Sequence, residues 1–350
     1  CKGRGGVVFL EGDTGMGKSA LVGHAHQYAL RQSAVLSEAK GVGQTEDSDG
    51  GQSLTWLQGR GRSYDQSRPY SMWLDLFEGW FETCEEEPLT ETGDRLRRQV
   101  EALWGEQVAE KATEHYPFLA TFLSLPQEYA LPEFAKHLDA GTRRQEIFDA
   151  VRSWIEALAG RGPLVLVFDN VHWADASSLE LLEFCLPLCR EYPLLWLVAL
   201  RPDPTAPAWK LKSQVERDHD SSATPLVLLP LTDAQGDKMV DRLIGPHVVP
   251  DETRALLRQR AEGNPYYIEE FIHALIREGV LVKDAATDQW RATRTIDSLD
   301  LPNSLQNLLL ARIDTLSQSE RRVLQMAAVI GPVFWSQLLE AIACDGSQMM

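Results

Sequence analysis

The run Gly12-Asp13-Thr14-Gly15-Met16-Gly17-Lys18-Ser19 constrains this chain more than any other segment of it. It matches GxxxxGK[ST] and stands between an apolar stretch, Val7–Leu10, and a helical pattern over Lys18–Gln32. Glycines at that spacing let successive backbone N–H groups turn inward as an anion nest, which β-carbons would obstruct. The helix that follows adds the positive end of its dipole. The pattern therefore predicts a phosphate cradle formed by Gly12, Asp13, Thr14, Gly15, Met16, Gly17, Lys18, Ser19 and Ala20. Lys18 is placed for the β- and γ-phosphates, and the Ser19 hydroxyl for Mg²⁺.

A strand–loop–helix of this kind needs a sheet to belong to, and the sequence supplies one. Besides Val7–Leu10, short β-like runs occur at Leu54–Leu57, Leu164–Phe168, Leu194–Leu200 and Leu226–Leu229. Most are continuously apolar, as expected of strands covered on both faces. Helical patterns at Lys18–Gln32, Thr142–Ala159 and Ser178–Tyr192 separate them. Strands alternating with helices predict an α/β fold with a parallel five-stranded sheet between helices. After Pro230 the pattern turns helical, with a capping pair Thr232/Gln235, helices over Asp251–Glu262 and Tyr266–Glu278, a short hairpin within Val280–Ala292, and helices over Asn303–Leu316 and on to Ile330. Gly41–Ser53 reads as a loop, and Glu82–Leu138 as irregular helix with a solvated acidic run, Glu85–Glu87.

Charge and cysteine usage exclude several classes. There are 34 Lys and Arg against 51 Asp and Glu, a formal net charge of −17 over 350 residues. That balance argues against non-specific nucleic-acid binding, which needs a basic footprint. No apolar run approaches the roughly 18–20 residues that span a bilayer. The five cysteines are odd in number and sparse, which fits a reducing, cytoplasmic setting. Cys185 and Cys189 read as small buried side chains rather than metal ligands. The chain opens on Cys1 and reaches its first strand almost at once, so it reads as a piece of a longer polypeptide.

Two further residues belong with the cradle. Pro163-Leu164-Val165-Leu166-Val167-Phe168-Asp169 is an apolar strand ending in a carboxylate, the arrangement that holds hydrated Mg²⁺ beside a bound triphosphate. Leu194–Leu200 ends in Arg201, a cation at the carboxyl edge of the sheet, where ligands bind in open α/β folds. Arg201 would sense the terminal phosphate.

Longer segments carry a family resemblance. Val165–Leu182, with Asp169-Asn170-Val171-His172-Trp173-Ala174-Asp175, resembles the second nucleotide motif of the STAND branch of AAA+-related P-loop NTPases. Ala261–Leu281, with Gly263-Asn264-Pro265, is similar to that family's Gly-Asn-Pro segment, and Trp56–Trp73 resembles the variant found in multidomain bacterial proteins and soluble adenylyl cyclases. Pro302–Ala343 is similar to the start of the family's winged-helix domain. The resemblance implies a P-loop ATPase core over residues 1–231 with a helical insertion at about 82–141, a helical lid over 232–300, and a truncated winged-helix start over 301–350. It implies a slowly hydrolysing ATP/ADP switch, with Pro265 near the nucleotide and Mg²⁺ held by Ser19 and Asp169. Implied partners are other domains of the same polypeptide (cyclase, winged-helix or helical-repeat) and nucleotide-dependent self-association.

Asn170 departs from the family pattern, in which a second acidic residue activates water, and an amide cannot accept a proton at neutral pH. This motivates an alternative, a nucleotide-binding scaffold with little or no hydrolysis. Asp175 or Glu180 are substitute bases by position, although Asp175 has the place of an N-cap and Ser177/Glu180 the spacing of a capping box. His172-Trp173 reads as a packing pair at a strand end, and Pro265 equally as a favoured helix-start proline. No Asn-Lys-x-Asp guanine motif is present.

Overall fold

The computed structural model describes residues 5–39, 54–63, 65–81, 89–104, 109–123, 138–218, 223–284, 288–293, 313, 316 and 318–330. Five strands, β1 (Gly6–Glu11), β2 (Thr55–Arg60), β3 (Leu164–Asp169), β4 (Leu194–Leu200) and β5 (Ala223–Val227), form one sheet in the order β2-β3-β4-β1-β5. Every pairing is parallel. All six residues of β3 are buried, as its unbroken apolar run demands of a strand covered on both faces. The P-loop α/β fold expected from the sequence is therefore present. The winged-helix assignment falls mainly on residues outside the described set, where only a helix at Gln318–Ile330 and two isolated residues are described. The loop expected at Gly41–Ser53 also lies outside it.

Two elements differ from their sequence patterns. The fifth strand lies at Ala223–Val227 rather than Leu226–Leu229, with Pro225 opposite Phe9 of β1. An edge strand pairs on one side only, so a residue without an N–H donor is tolerated there. The pattern over Ser178–Tyr192 splits into an α-helix, Ala176–Cys185, and a 3₁₀ turn, Leu186–Arg190, because Pro187 sits at the turn's start and cannot continue the α-helical ladder.

Contacts divide the chain into two units, Cys1–Gly12 with Lys18–Val227, and Asp13–Gly17 with Leu228–Met350. The first is held by an aromatic core. Trp73, Trp154 and Trp196 are among its largest fully buried side chains, Phe77 stacks on Trp154 at 4.2 Å, and Phe168 of β3 packs on Trp73 at 4.8 Å. Gly59 and Gly61 let β2 press against its neighbours: a β-carbon would stand 2.1 Å from the Met72 carbonyl oxygen at Gly59 and 2.4 Å from the Asn170 carbonyl oxygen at Gly61. The Gly61 N–H donates to the Asp169 carbonyl at 2.8 Å, extending the β2–β3 ladder past the last strand residue. The second unit packs Val240, Leu257, Ile268, Phe271 and Leu275 from three helices, Asp233–Ile244, Asp251–Ala261 and Pro265–Arg277. A hairpin of β6 (Leu281–Lys283) and β7 (Trp290–Ala292) follows. The Thr232/Gln235 capping box forms as the sequence predicts.

Candidate functional site

The sheet order puts β1 between β4 and β5, with Glu11 in register with Leu200, so the residues following both strands emerge at one edge. Asp169 ends β3 at that same edge, where open α/β sheets bind ligands. Lys18 and Ser19 open the helix Lys18–Ala39. The fold thus assembles Lys18, Ser19, Asp169 and Arg201 from three separate stretches of sequence.

The central contact is short. The Ser19 hydroxyl donates to Asp169 Oδ2 at 2.9 Å, although 150 residues separate them. The other carboxylate oxygen accepts the Asn170 N–H at 2.9 Å. Asp169 is 2% exposed. A hydroxyl and a carboxylate oxygen side by side are hard oxygen donors of the kind Mg²⁺ takes together with phosphate oxygens and water, so these residues fit that ion. Among the described residues no group of three His, Cys, Asp or Glu could hold a metal, so further ligands of a cation here would be phosphate oxygens and water. The Lys18 ammonium is buried and donates to the Gly12 carbonyl at 2.6 Å. At the root of the loop, Glu11 forms a buried ion pair with Lys212 at 3.0 Å, and Lys212 also reaches Glu216 at 3.1 Å.

Gly15 and Gly17 have φ of +82° and +86°, the left-handed region that glycine enters without strain. A β-carbon at Gly17 would meet no atom within 4 Å, whereas one at Gly15 would lie 2.5 Å from Asn264 Oδ1. The tip Asp13–Gly17 belongs with the second unit, where Asn264 Nδ2 donates to the Thr14 carbonyl at 3.1 Å and the Tyr266 N–H to the Gly15 carbonyl at 3.2 Å. Asn264 is also the N-cap of Pro265–Arg277, its Oδ1 accepting from the Tyr266 and Tyr267 N–H groups. Pro265 stands at the first turn of that helix, the place its ring favours. The sequence singles out Pro265, whereas the side chain that reaches the loop is that of Asn264. An Asn directly before a helix-start Pro is a capping signal, but its reach to Thr14 is tertiary.

Arg201 lies over the Trp173 ring, its guanidinium carbon 5.8 Å from the centroid. Asn170 is in the left-handed region, φ 55° and ψ 40°, at the sharp turn from β3 into the 3₁₀ turn Val171–Trp173. Asn and Asp enter that region more readily than other side chains with a β-carbon, so the backbone itself accounts for the amide.

Both residues that the sequence offers as substitute bases have polar partners. Asp175 is 6% exposed and caps the helix Ala176–Cys185. It accepts from the N–H groups of Tyr70, Ser71 and Ser178 at 3.0, 3.2 and 2.9 Å, and from the hydroxyls of Ser71 and Ser178 at 3.3 and 2.5 Å. Because Asp175 is the N-cap, the Ser177/Glu180 capping spacing is not used. Glu180 instead pairs with Arg144 at 2.7 Å. Cys185 and Cys189 are buried, as expected, and burial pushes the Cys185 thiol well above its ordinary pKa.

Comparison with known proteins adds to this geometry. Residues 1–197 match the family described as AAA ATPase domain, and residues 232–286 match a domain of unknown function. Adenylate cyclase type 10 of Rattus norvegicus is 20% identical over 224 residues, covering 53% of this chain and 14% of the relative. An uncharacterized protein of Rhizobium meliloti is 26% identical over 209 residues, covering 58% of this chain and 18% of the relative. The chain thus spans less than a fifth of the length of these curated relatives. The ORC2 protein of Aeropyrum pernix, solved in ADPNP–ADP complexes, superposes with a TM-score of 0.40 at 12% identity, covering 99% of this chain and 74% of that one. Among the described residues no helix is long and apolar enough to cross a membrane.

Proposed function

The chain belongs to the AAA ATPase domain family, and from that premise we propose that it is an ATP-binding, slowly hydrolysing switch of the STAND kind, acting within a larger signalling protein. The observation that carries this reading is the Ser19–Asp169 contact at 2.9 Å, which joins the two magnesium-ligand positions of a P-loop site beside Lys18. In this reading Gly12–Ala20 cradle the phosphates and Lys18 neutralises the β- and γ-oxygens. Arg201 meets the terminal phosphate, and Pro265 contacts the nucleotide. Mg²⁺, when bound, would draw charge from the transferring phosphoryl group. Other domains of the same polypeptide would receive the signal, a role in line with the cyclase named among the relatives.

The test is Lys18→Ala. Charge-assisted hydrogen bonds are worth about 1.5–3 kcal/mol each, so nucleotide affinity should fall at least tenfold and Mg²⁺-dependent phosphate release should vanish. Equal binding and release in the variant would overturn the assignment.

A second reading, a nucleotide-binding scaffold that scarcely hydrolyses, is favoured by Asn170 and by the engagement of Asp175 and Glu180. Asn170→Asp preserves the left-handed turn and supplies a proton acceptor, so turnover should rise severalfold if the missing base limits the rate. Unchanged turnover in that variant would remove the reason for the second reading.

A further inference from the structure

The turn Val171–Trp173 carries a histidine whose ring makes no hydrogen bond among the described residues. Neither nitrogen of the His172 ring has a hydrogen-bond partner among the described residues, and both atoms are buried from solvent. Buried imidazole nitrogens ordinarily find partners, and an orphan of this kind asks for an explanation. Packing supplies only part of one: the ring tilts against Trp173 with centroids 5.1 Å apart. Trp173 in turn carries the Arg201 guanidinium at 5.8 Å, so His172, Trp173 and Arg201 form one layer at the carboxyl edge of β3 and β4. The turn packs against β4 and the helix Pro207–Asp218, and its backbone is fixed by the Trp173 N–H bonding to the Asn170 carbonyl at 2.9 Å.

We propose that His172 is a direct ligand of the terminal phosphate, its ring N–H donating a hydrogen bond to a γ-phosphate oxygen so that the site distinguishes a nucleoside triphosphate from a diphosphate. The proposal deepens the ATP-switch reading and rests on it. Three observations support it together. The ring lies three residues after Asp169 and belongs to the layer that holds Arg201. Its nitrogens have no competing partner among the described residues. Burial, then the positive charges of Arg201 and Lys18, hold its pKa down to about 4, so at neutral pH it is an uncharged donor and acceptor beside the two cations assigned to the phosphates. A neutral donor suits a site already rich in positive charge, because it adds direction without adding repulsion between cations.

The experiment is calorimetric titration of the 350-residue chain with Mg²⁺ and either ADP or a non-hydrolysable ATP analogue, comparing wild type, Lys18→Ala and His172→Phe. Phenylalanine keeps the ring that packs on Trp173 and removes both nitrogens. A buried hydrogen bond to a charged oxygen is worth roughly tenfold or more in affinity. His172→Phe should therefore weaken the analogue by that factor while ADP affinity stays within about twofold. An unchanged analogue-to-ADP ratio, or equal loss for both nucleotides, overturns the proposal and leaves the nucleotide assignment standing. Wild type that binds neither nucleotide overturns that assignment and the proposal with it. Should His172→Phe fail to fold, the wild-type imidazole resonances of His172, followed by NMR, give the same answer. They should shift with the analogue and not with ADP, and the absence of that difference refutes the contact.

Discussion

Asp175→Ala should destabilise the first unit by several kcal/mol. The carboxylate joins two helix starts that are about a hundred residues apart in sequence, through Tyr70 and Ser71 on one side and Ser178 on the other. Truncation strands three backbone N–H donors in a site that is 6% exposed. Each buried unsatisfied donor costs about 1–3 kcal/mol, and loss of an N-cap about 1 kcal/mol, some of which relaxation and water recover. A net loss of about 3–5 kcal/mol follows. For a unit of this size that is a melting-point drop of roughly 6–20 °C. Asp175→Asn keeps Oδ1, which serves Tyr70 and Ser178, and presents an amide N–H₂ to the Ser71 N–H, so about half the loss is expected. Thermal unfolding followed by tryptophan fluorescence reads the effect, since Trp73 is buried beside this node and donates to the Ser178 carbonyl at 3.1 Å. A variant that melts with wild type would refute the reasoning, and concurrent loss of phosphate release would assign Asp175 a role in the reaction rather than in folding.

Two other outcomes follow from the geometry. Gly61→Ala forces a β-carbon to within 2.4 Å of the Asn170 carbonyl oxygen, backbone against backbone. Overpacking of this kind costs about 1–3 kcal/mol, and the displaced Asp169 turn should weaken Mg²⁺·nucleotide binding; an unaltered melt and titration would count against the close approach. Cys185 and Cys189 should resist iodoacetamide at pH 8 in the folded chain and react after urea unfolding. Burial and the raised thiol pKa of Cys185 both suppress its thiolate, and peptide mass spectrometry showing prompt native labelling of Cys185 would contradict this.

What was legible in the sequence was local. The phosphate loop and the apolar strand ending in Asp169 are contiguous patterns whose chemistry depends on neighbours along the chain, and both are where their residues place them. Continuous apolar runs marked β1, β3 and β4 because interior strands are covered on both faces. The bounds of β5 are not legible in the sequence because its position is set by pairing with β1 rather than by its own hydrophobicity, and Leu226 and Val227 remain exposed. Which of Asp175 and Ser177 begins the helix was undetermined by spacing. It is decided by the extended backbone at Asp175, ψ 159°, and by the Tyr70–Ser71 donors that saturate its carboxylate. The reach of Asn264 to Thr14 and the orphaned ring of His172 are products of tertiary packing, and no periodicity announces either.

The Ser19–Asp169 hydrogen bond bears on how the core holds a buried carboxylate. A carboxylate buried this deeply would be a liability if it relied on a visiting ion for compensation. Here the Ser19 hydroxyl and the Asn170 N–H each donate to one of its oxygens, so the carboxylate is hydrogen-bonded through both, and in the proposed switch Mg²⁺ would enter by replacing the hydroxyl contact.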